Sequence, residues 1–177
     1  KLAAEVDASV SDFMTTARLY CSGLNFTFNP HRMILNKVTD CYLTREDGER
    51  IEIQDDQLYR VVTDLYTGQM LGSVMEMSYG LLKIEPKDKD GNPIENLEDQ
   101  AIMEGNKELK AWDAIARYMK SFDDTDGNGI SNVPEYYETT HGRKVVDESR
   151  NVIDLVKNPN KFSVMIVGIV LVLILII

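Results

Sequence analysis

Apolar and polar residues follow different rhythms along the chain, and each rhythm predicts an element. Residues 2–17 set Leu2, Val6, Val10, Phe13 and Ala17 three or four apart, the spacing that gathers apolar side chains on one helical face. Leu24, Phe26 and Phe28 then alternate with Asn25 and Thr27, the period-two pattern of a half-buried strand, and Asn29-Pro30 ends it. Met33 to Leu43 is a second strand candidate. Asp47-Gly48 predicts a hairpin turn, with Ile51 and Ile53 alternating with Glu52 on the returning strand. Leu58 to Asp64 predicts a further strand, Gly68 to Met75 a loop or short helix, and Tyr79 to Glu85 a return to strand spacing. Pro86 to Pro93, with Asp90-Gly91-Asn92 at its tip, predicts a polar hairpin-like segment.

From Asn106 the rhythm becomes helical, since Leu109, Trp112, Ile115, Ala116 and Met119 recur at three and four with Lys and Asp between them. A Gly- and Asp-rich loop follows at 123–129, then Pro134 at a helix start, a turn at His141-Gly142, and an amphipathic stretch holding Val152, Ile153, Leu155 and Val156. Asn158-Pro159-Asn160 breaks that stretch. Helix, strands, then helices predict an α+β fold: a mixed or antiparallel sheet with packed helices, followed by a helical segment with a calcium-type loop. The corresponding division is 1–100, 101–161 and 162–177.

The last segment, 162–177, holds no charge, Pro, Asn or Gln. So apolar a run predicts a transmembrane helix serving as a single-pass C-terminal anchor, although at 1.5 Å per residue it reaches only about 24 Å of the roughly 30 Å bilayer core. Lys157 and Lys161 flank its start and taken alone favour a cytoplasmic body. With Lys and not Met at position 1, the chain reads as a piece of a longer protein.

Charge narrows the partners. The 177 residues carry 29 acidic and 19 basic side chains, a formal net charge of -10, all of it before residue 162. Duplex binding needs clustered Lys and Arg, and no such cluster is present, so nucleic acid is an unsuitable partner.

The most specific local motif is Asp124-Thr125-Asp126-Gly127-Asn128-Gly129, with Glu135 at the twelfth position. It supplies side-chain oxygens at positions 1, 3 and 5, Gly at 6 for the sharp turn, the Ile130 carbonyl at 7 and a carboxylate at 12, the oxygen-rich set that Ca²⁺ requires. An EF-hand carries its apolar residue at position 8, where this chain has Ser131. The spacing is therefore closer to single Asp-rich calcium turns, and a capped Asp/Gly turn without metal uses the same residues. Catalytic constellations are not evident: His31 and His141 stand on separate loops, and no phosphate loop or nucleophile elbow occurs. Cys21 and Cys41 flank a strand pair and could bond in an exported protein, while two Cys in a chain of this length are more often free.

Three ordered blocks add a family resemblance. Ser22-Gly23-Leu24-Asn25-Phe26-Thr27-Phe28-Asn29-Pro30, then Lys37-Val38-Thr39-Asp40, then Leu58-Tyr59-Arg60-Val61-Val62-Thr63-Asp64-Leu65-Tyr66 resemble the C-terminal domain of the 5′-nucleotidase and UDP-sugar hydrolase family, over roughly residues 10–80. Where that family continues into a Gly-Gly-Asp-Gly loop, this chain has Thr67-Gly68-Gln69-Met70-Leu71-Gly72. The resemblance implies a nucleotide- or nucleoside-binding module working beside an N-terminal metallophosphatase domain that holds the catalytic divalent metals. It implies Tyr66 as a ring that stacks on a base, with Leu65 beside it, Asp64 as acceptor from a ribose hydroxyl and Gln69 as a substrate contact. Tyr66 as a packed strand-end aromatic and Asp64 as a turn cap are the structural alternatives. The resemblance also implies an exported body, hence a membrane-anchored extracellular phosphoesterase part. A non-catalytic, calcium-stabilised cell-surface module that keeps the fold without nucleotide binding is the other function expected.

Overall fold

The computed structural model describes residues 1–10, 20–77, 80 and 84–176. These form two compact units, one of residues 1–55 with 140–177 and one of residues 56–139.

The first unit opens with helix α1 (Leu2–Val10) and a four-stranded sheet built from β1 (Leu24–Phe28), β2 (Val38–Thr44) and β3 (Arg50–Glu52), with β6 (Lys144–Val146) arriving from far along the chain. The strand order is β3-β2-β1-β6. β1 runs antiparallel to β2, with Phe26 opposite Cys41, and β2 antiparallel to β3, with Leu43 opposite Ile51. β6 lies parallel to β1, Lys144 opposite Phe26, so the sheet is mixed. The predicted alternation of Leu24, Phe26 and Phe28 and the Asp47-Gly48 hairpin both appear, Gly48 adopting the positive φ of 88° that a tight turn asks of a glycine. The second strand begins later than its apolar pattern suggests. Residues 33–36 make a turn instead, closed by the Asn36 amide donating to the Met33 carbonyl at 2.9 Å, with Leu35 at φ 59°.

The core of this unit is small: Ala4, Phe26 and Cys41, with Leu24, Phe28, Val38 and Ile53 packed around them. α1 does not bury the Leu2–Val6 stripe most deeply. It buries Ala4 and Ala8, one turn apart, together with Glu5, Asp7 and Ser9. Small residues let the helix come close to the sheet, and each buried polar side chain has a partner. Glu5 accepts from the Lys37 and Val38 amides at 2.9 Å each, Ser9 Oγ accepts from the Leu35 amide at 3.0 Å, and Asp7 pairs with Lys144. Satisfied in this way, buried polar groups cost little. The remainder of the predicted 2–17 helix, Phe13 and Ala17 included, lies outside the described residues. Both cysteines are free.

Helix α4 (Val152–Val156) and helix α5 (Lys161–Ile176) complete the unit. Arg32, 7% exposed, ties the C-terminal end of α4 down, its guanidinium donating to the carbonyls of Asn36 and Lys157 at 2.7 Å each and to that of Asp154. Asn160 caps α5 by accepting from the Ser163 amide at 3.0 Å. The expected transmembrane anchor is corrected here. α5 has 16 residues, about 24 Å of helix against a hydrocarbon core of about 30 Å, and no helix among the described residues is long and apolar enough to cross a membrane. The expected localisation, a single-pass C-terminal anchor with the body that the resemblance placed outside, conflicts with the same helix length.

The second unit holds helix α2 (Leu65–Met77), a two-stranded hairpin of β4 (Met103–Glu104) and β5 (Lys107–Glu108), helix α3 (Ala111–Lys120) and 3₁₀ turns at Leu97–Gln100 and Glu135–Glu138. The predicted strand over 58–64 is not formed. Its residues are β-prone, but no strand pairs with them among the described residues, and Leu58, Val61 and Val62 are 55%, 76% and 73% exposed. The strand expected at Tyr79–Glu85 falls largely outside the described residues. The helix expected from Asn106 starts at Ala111 because Gly105, at φ 60°, turns the β4–β5 hairpin first.

Candidate functional site

The residues singled out by the family resemblance converge at the start of α2. Asp64 is its cap: one carboxylate oxygen accepts from the Thr67 amide at 2.9 Å and the other from the Thr67 hydroxyl at 2.7 Å. These donors hold the Asp64 carboxyl below the ordinary carboxylate range, the Thr67 backbone amide contributing most. The capping alternative thus describes what its side chain does in this structure. Gln69 lies four positions after Leu65 and three after Tyr66, so its side chain neighbours both on the helix surface. All three are exposed, Tyr66 at 62%. Gly68 is the packed position of this turn, where an added Cβ would come within 3.3 Å of Leu97 Cδ1. Tyr66 is therefore not a packed strand-end aromatic, since its ring stands out on a helix.

The calcium-type residues form a closed turn. Asp124 accepts from the amides of Gly127 at 2.7 Å, Asn128 at 3.2 Å and Gly129 at 2.8 Å, and these donors lower its pKa, Gly129 foremost. Asp126 accepts from the Asn128 amide and side-chain amide at 3.2 and 2.9 Å, and Asn128 Oδ1 from the Ile130 amide at 2.8 Å. Glu135 opens the 3₁₀ turn Glu135–Glu138. Backbone donors thus already occupy the Asp124 carboxylate that an ion would use first, and among the described residues no group of three or more His, Cys, Asp or Glu is placed to hold a metal. As arranged, this loop is a chain of Asx turns.

Two concavities lie away from both motifs. One, of about 190 Å³, is bordered by Asn29, Arg32, Asp147, Asp154 and Lys157. Its Arg32 is committed to backbone carbonyls and its Asn29 to the His31 amide and the Ser149 carbonyl, so these two side chains serve the fold. The other, of about 360 Å³, lies between the β4–β5 hairpin and α3 and contains Trp112 and Arg117. Sequence reasoning missed it. Asp113 and Arg117, four apart on a helix, were the legible half of its polar network, but Glu104 joins only through the hairpin. His31 Nε2 accepts from Arg150 Nε at 3.3 Å, a surface contact. Comparison of the chain with protein-family models, with curated proteins and with solved structures finds no match.

Proposed function

We propose that the chain is a ligand-gripping module that binds a nucleoside or nucleotide through the first turn of α2, in the service of a 5′-nucleotidase-like phosphoesterase whose metal chemistry belongs to a separate metallophosphatase domain. The observation that carries the reading is the exposed patch of Leu65, Tyr66 and Gln69 beside the Asp64 cap. An exposed Tyr ring offers a nucleobase a stacking plane, and stacking tolerates any base. The negative charge of Asp64 stands at the helix N-terminus, where a phosphate would otherwise be favoured. Base and ribose are accordingly the recognised parts, and the phosphate points away. Calorimetric titration with adenosine and uridine tests this: saturable binding is expected, weakened about tenfold by Tyr66→Ala and kept by Tyr66→Phe. No binding at millimolar nucleoside, or binding indifferent to Tyr66→Ala, overturns it.

A second reading, a calcium-stabilised module without nucleotide binding, rests on the ligand spacing Asp124, Asp126, Asn128, Ile130 and Glu135. It requires Glu135 to close on the same ion as Asp124 and Asp126, an arrangement these carboxylates do not have here. A ligand that binds only the folded state raises the melting temperature, so millimolar calcium with no shift removes this reading.

A further inference from the structure

We propose that the groove between the β4–β5 hairpin and α3 is a binding site for a neutral carbohydrate ring, distinct from the α2 patch and independent of it. Its volume of about 360 Å³ falls in the range of small-ligand sites, roughly 300–1,000 Å³. Trp112 lines it and is 71% exposed, so most of its indole surface is open to a ligand. A sugar ring has an apolar C–H face that stacks on such a plane and a rim of hydroxyls that must each find donors and acceptors.

The groove supplies both kinds side by side. Arg117 donates to the two oxygens of Glu104 at 2.5 and 2.8 Å and to Asp113 at 2.5 Å, and Lys110 pairs with Glu108. Arg117 lowers the pKa of Glu104, which stays an ionised acceptor. A hydroxyl bridging a carboxylate and a guanidinium uses its donor and its acceptor at once. Net charge selects the ligand class. Glu104, Glu108 and Asp113 are balanced by Lys107, Lys110 and Arg117, so neither an anion such as phosphate nor a cation meets a favourable field, while a neutral polyol does. The hairpin turn at Gly105 and the helical spacing of Asp113 and Arg117 fix these groups on regular elements.

The chain has a single Trp, which makes its emission a direct probe of the groove. Glucose, galactose, N-acetylglucosamine, cellobiose and chitobiose, titrated at millimolar concentrations into the full chain, form the test set. At least one is expected to give a saturable emission change and a matching calorimetric isotherm. Trp112→Ala should weaken that isotherm by about tenfold or more, Trp112→Phe should keep most of it, and Glu104→Gln should weaken it with an unchanged circular-dichroism spectrum. Tyr66→Ala should leave it intact, which separates this site from the nucleoside reading. An absence of saturable change with every sugar, an equal response to inorganic phosphate, or an unaltered isotherm in Trp112→Ala overturns the proposal.

Discussion

The two units are held together by different forces. In residues 1–55 with 140–177, Phe26, Cys41, Ala4 and Ala8 are buried, and Asp7, Arg32 and Asn29 are buried beside them with their hydrogen bonds made. In residues 56–139, no hydrophobic side chain among those described is buried. Among the described residues, what organises that unit is mostly polar and local: the Asp64 cap, Asp88 accepting from the Asp90 and Asn92 amides at 2.9 Å each, the Asp124 turn and the Arg117 network. Ring contacts of Tyr118, Phe122 and Tyr137 and the close approach of Gly68 to Leu97 join them. Apolar burial and buried ion pairs are cooperative and costly to break, whereas exposed ion pairs and Asx turns contribute little each. Both candidate binding surfaces lie in the lightly packed unit, in keeping with the tendency of binding regions to come from the less stable parts of a fold.

Substitutions can break this contrast. The largest loss is expected from Phe26→Ala, which empties the centre of the small core and should cost about 3–4 kcal/mol, read as a lowered denaturant midpoint. Lys144→Ala comes next. It takes the ammonium away from Asp7, whose side chain is 0% exposed, and removes a cation held 5.4 Å from the Phe28 ring centroid. Because Lys144 itself reaches solvent, about 2 kcal/mol is expected, below the usual loss for a fully buried pair. Asp64→Ala should leave the global midpoint close to wild type and act locally, detected as faster amide exchange across residues 65–69.

Acid sharpens the contrast further, with opposite signs. The folded-state pKa values of Asp64, Asp88 and Asp124 are depressed by backbone donors. Their stabilisation is present above the ordinary carboxylate pKa and is lost as pH falls through the folded values. Glu5 is raised by burial, against the pull of the Lys37 and Val38 amides. Its contribution is present below the unfolded value and lost as pH rises through the folded one. Amide exchange below pH 4 should therefore accelerate in the 64–69 and 124–130 turns before the β1–β2 strands lose protection. Simultaneous loss in both units would contradict this ordering.

The sequence made the local parts of this architecture legible. The alternation of Leu24, Phe26 and Phe28, the Asp47-Gly48 turn and the 152–156 stretch each carry their signal within a few residues. Lys144–Val146 was illegible because a three-residue strand has almost no period, and what selects it is pairing with Phe26 and its neighbours across most of the chain. Leu58–Asp64 shows the converse: β-prone residues alone do not make a strand without a partner. At the candidate site, the positions Asp64, Leu65, Tyr66 and Gln69 were legible and their conformation was not. A strand end followed by a loop became a capped helix, which is why Tyr66 and Gln69 share a face. The groove around Trp112 was hidden because Glu104 reaches Arg117 only after the hairpin folds.

Hydrogen exchange measured with and without adenosine tests most directly the claim that a firmly packed unit accompanies a lightly packed binding unit. The account predicts slow exchange in β1 and β2 that adenosine leaves unchanged, together with fast exchange over residues 64–69 that adenosine slows and that Tyr66→Ala restores. Fast exchange in β1 and β2, or adenosine protection falling on them and not on residues 64–69, would contradict it.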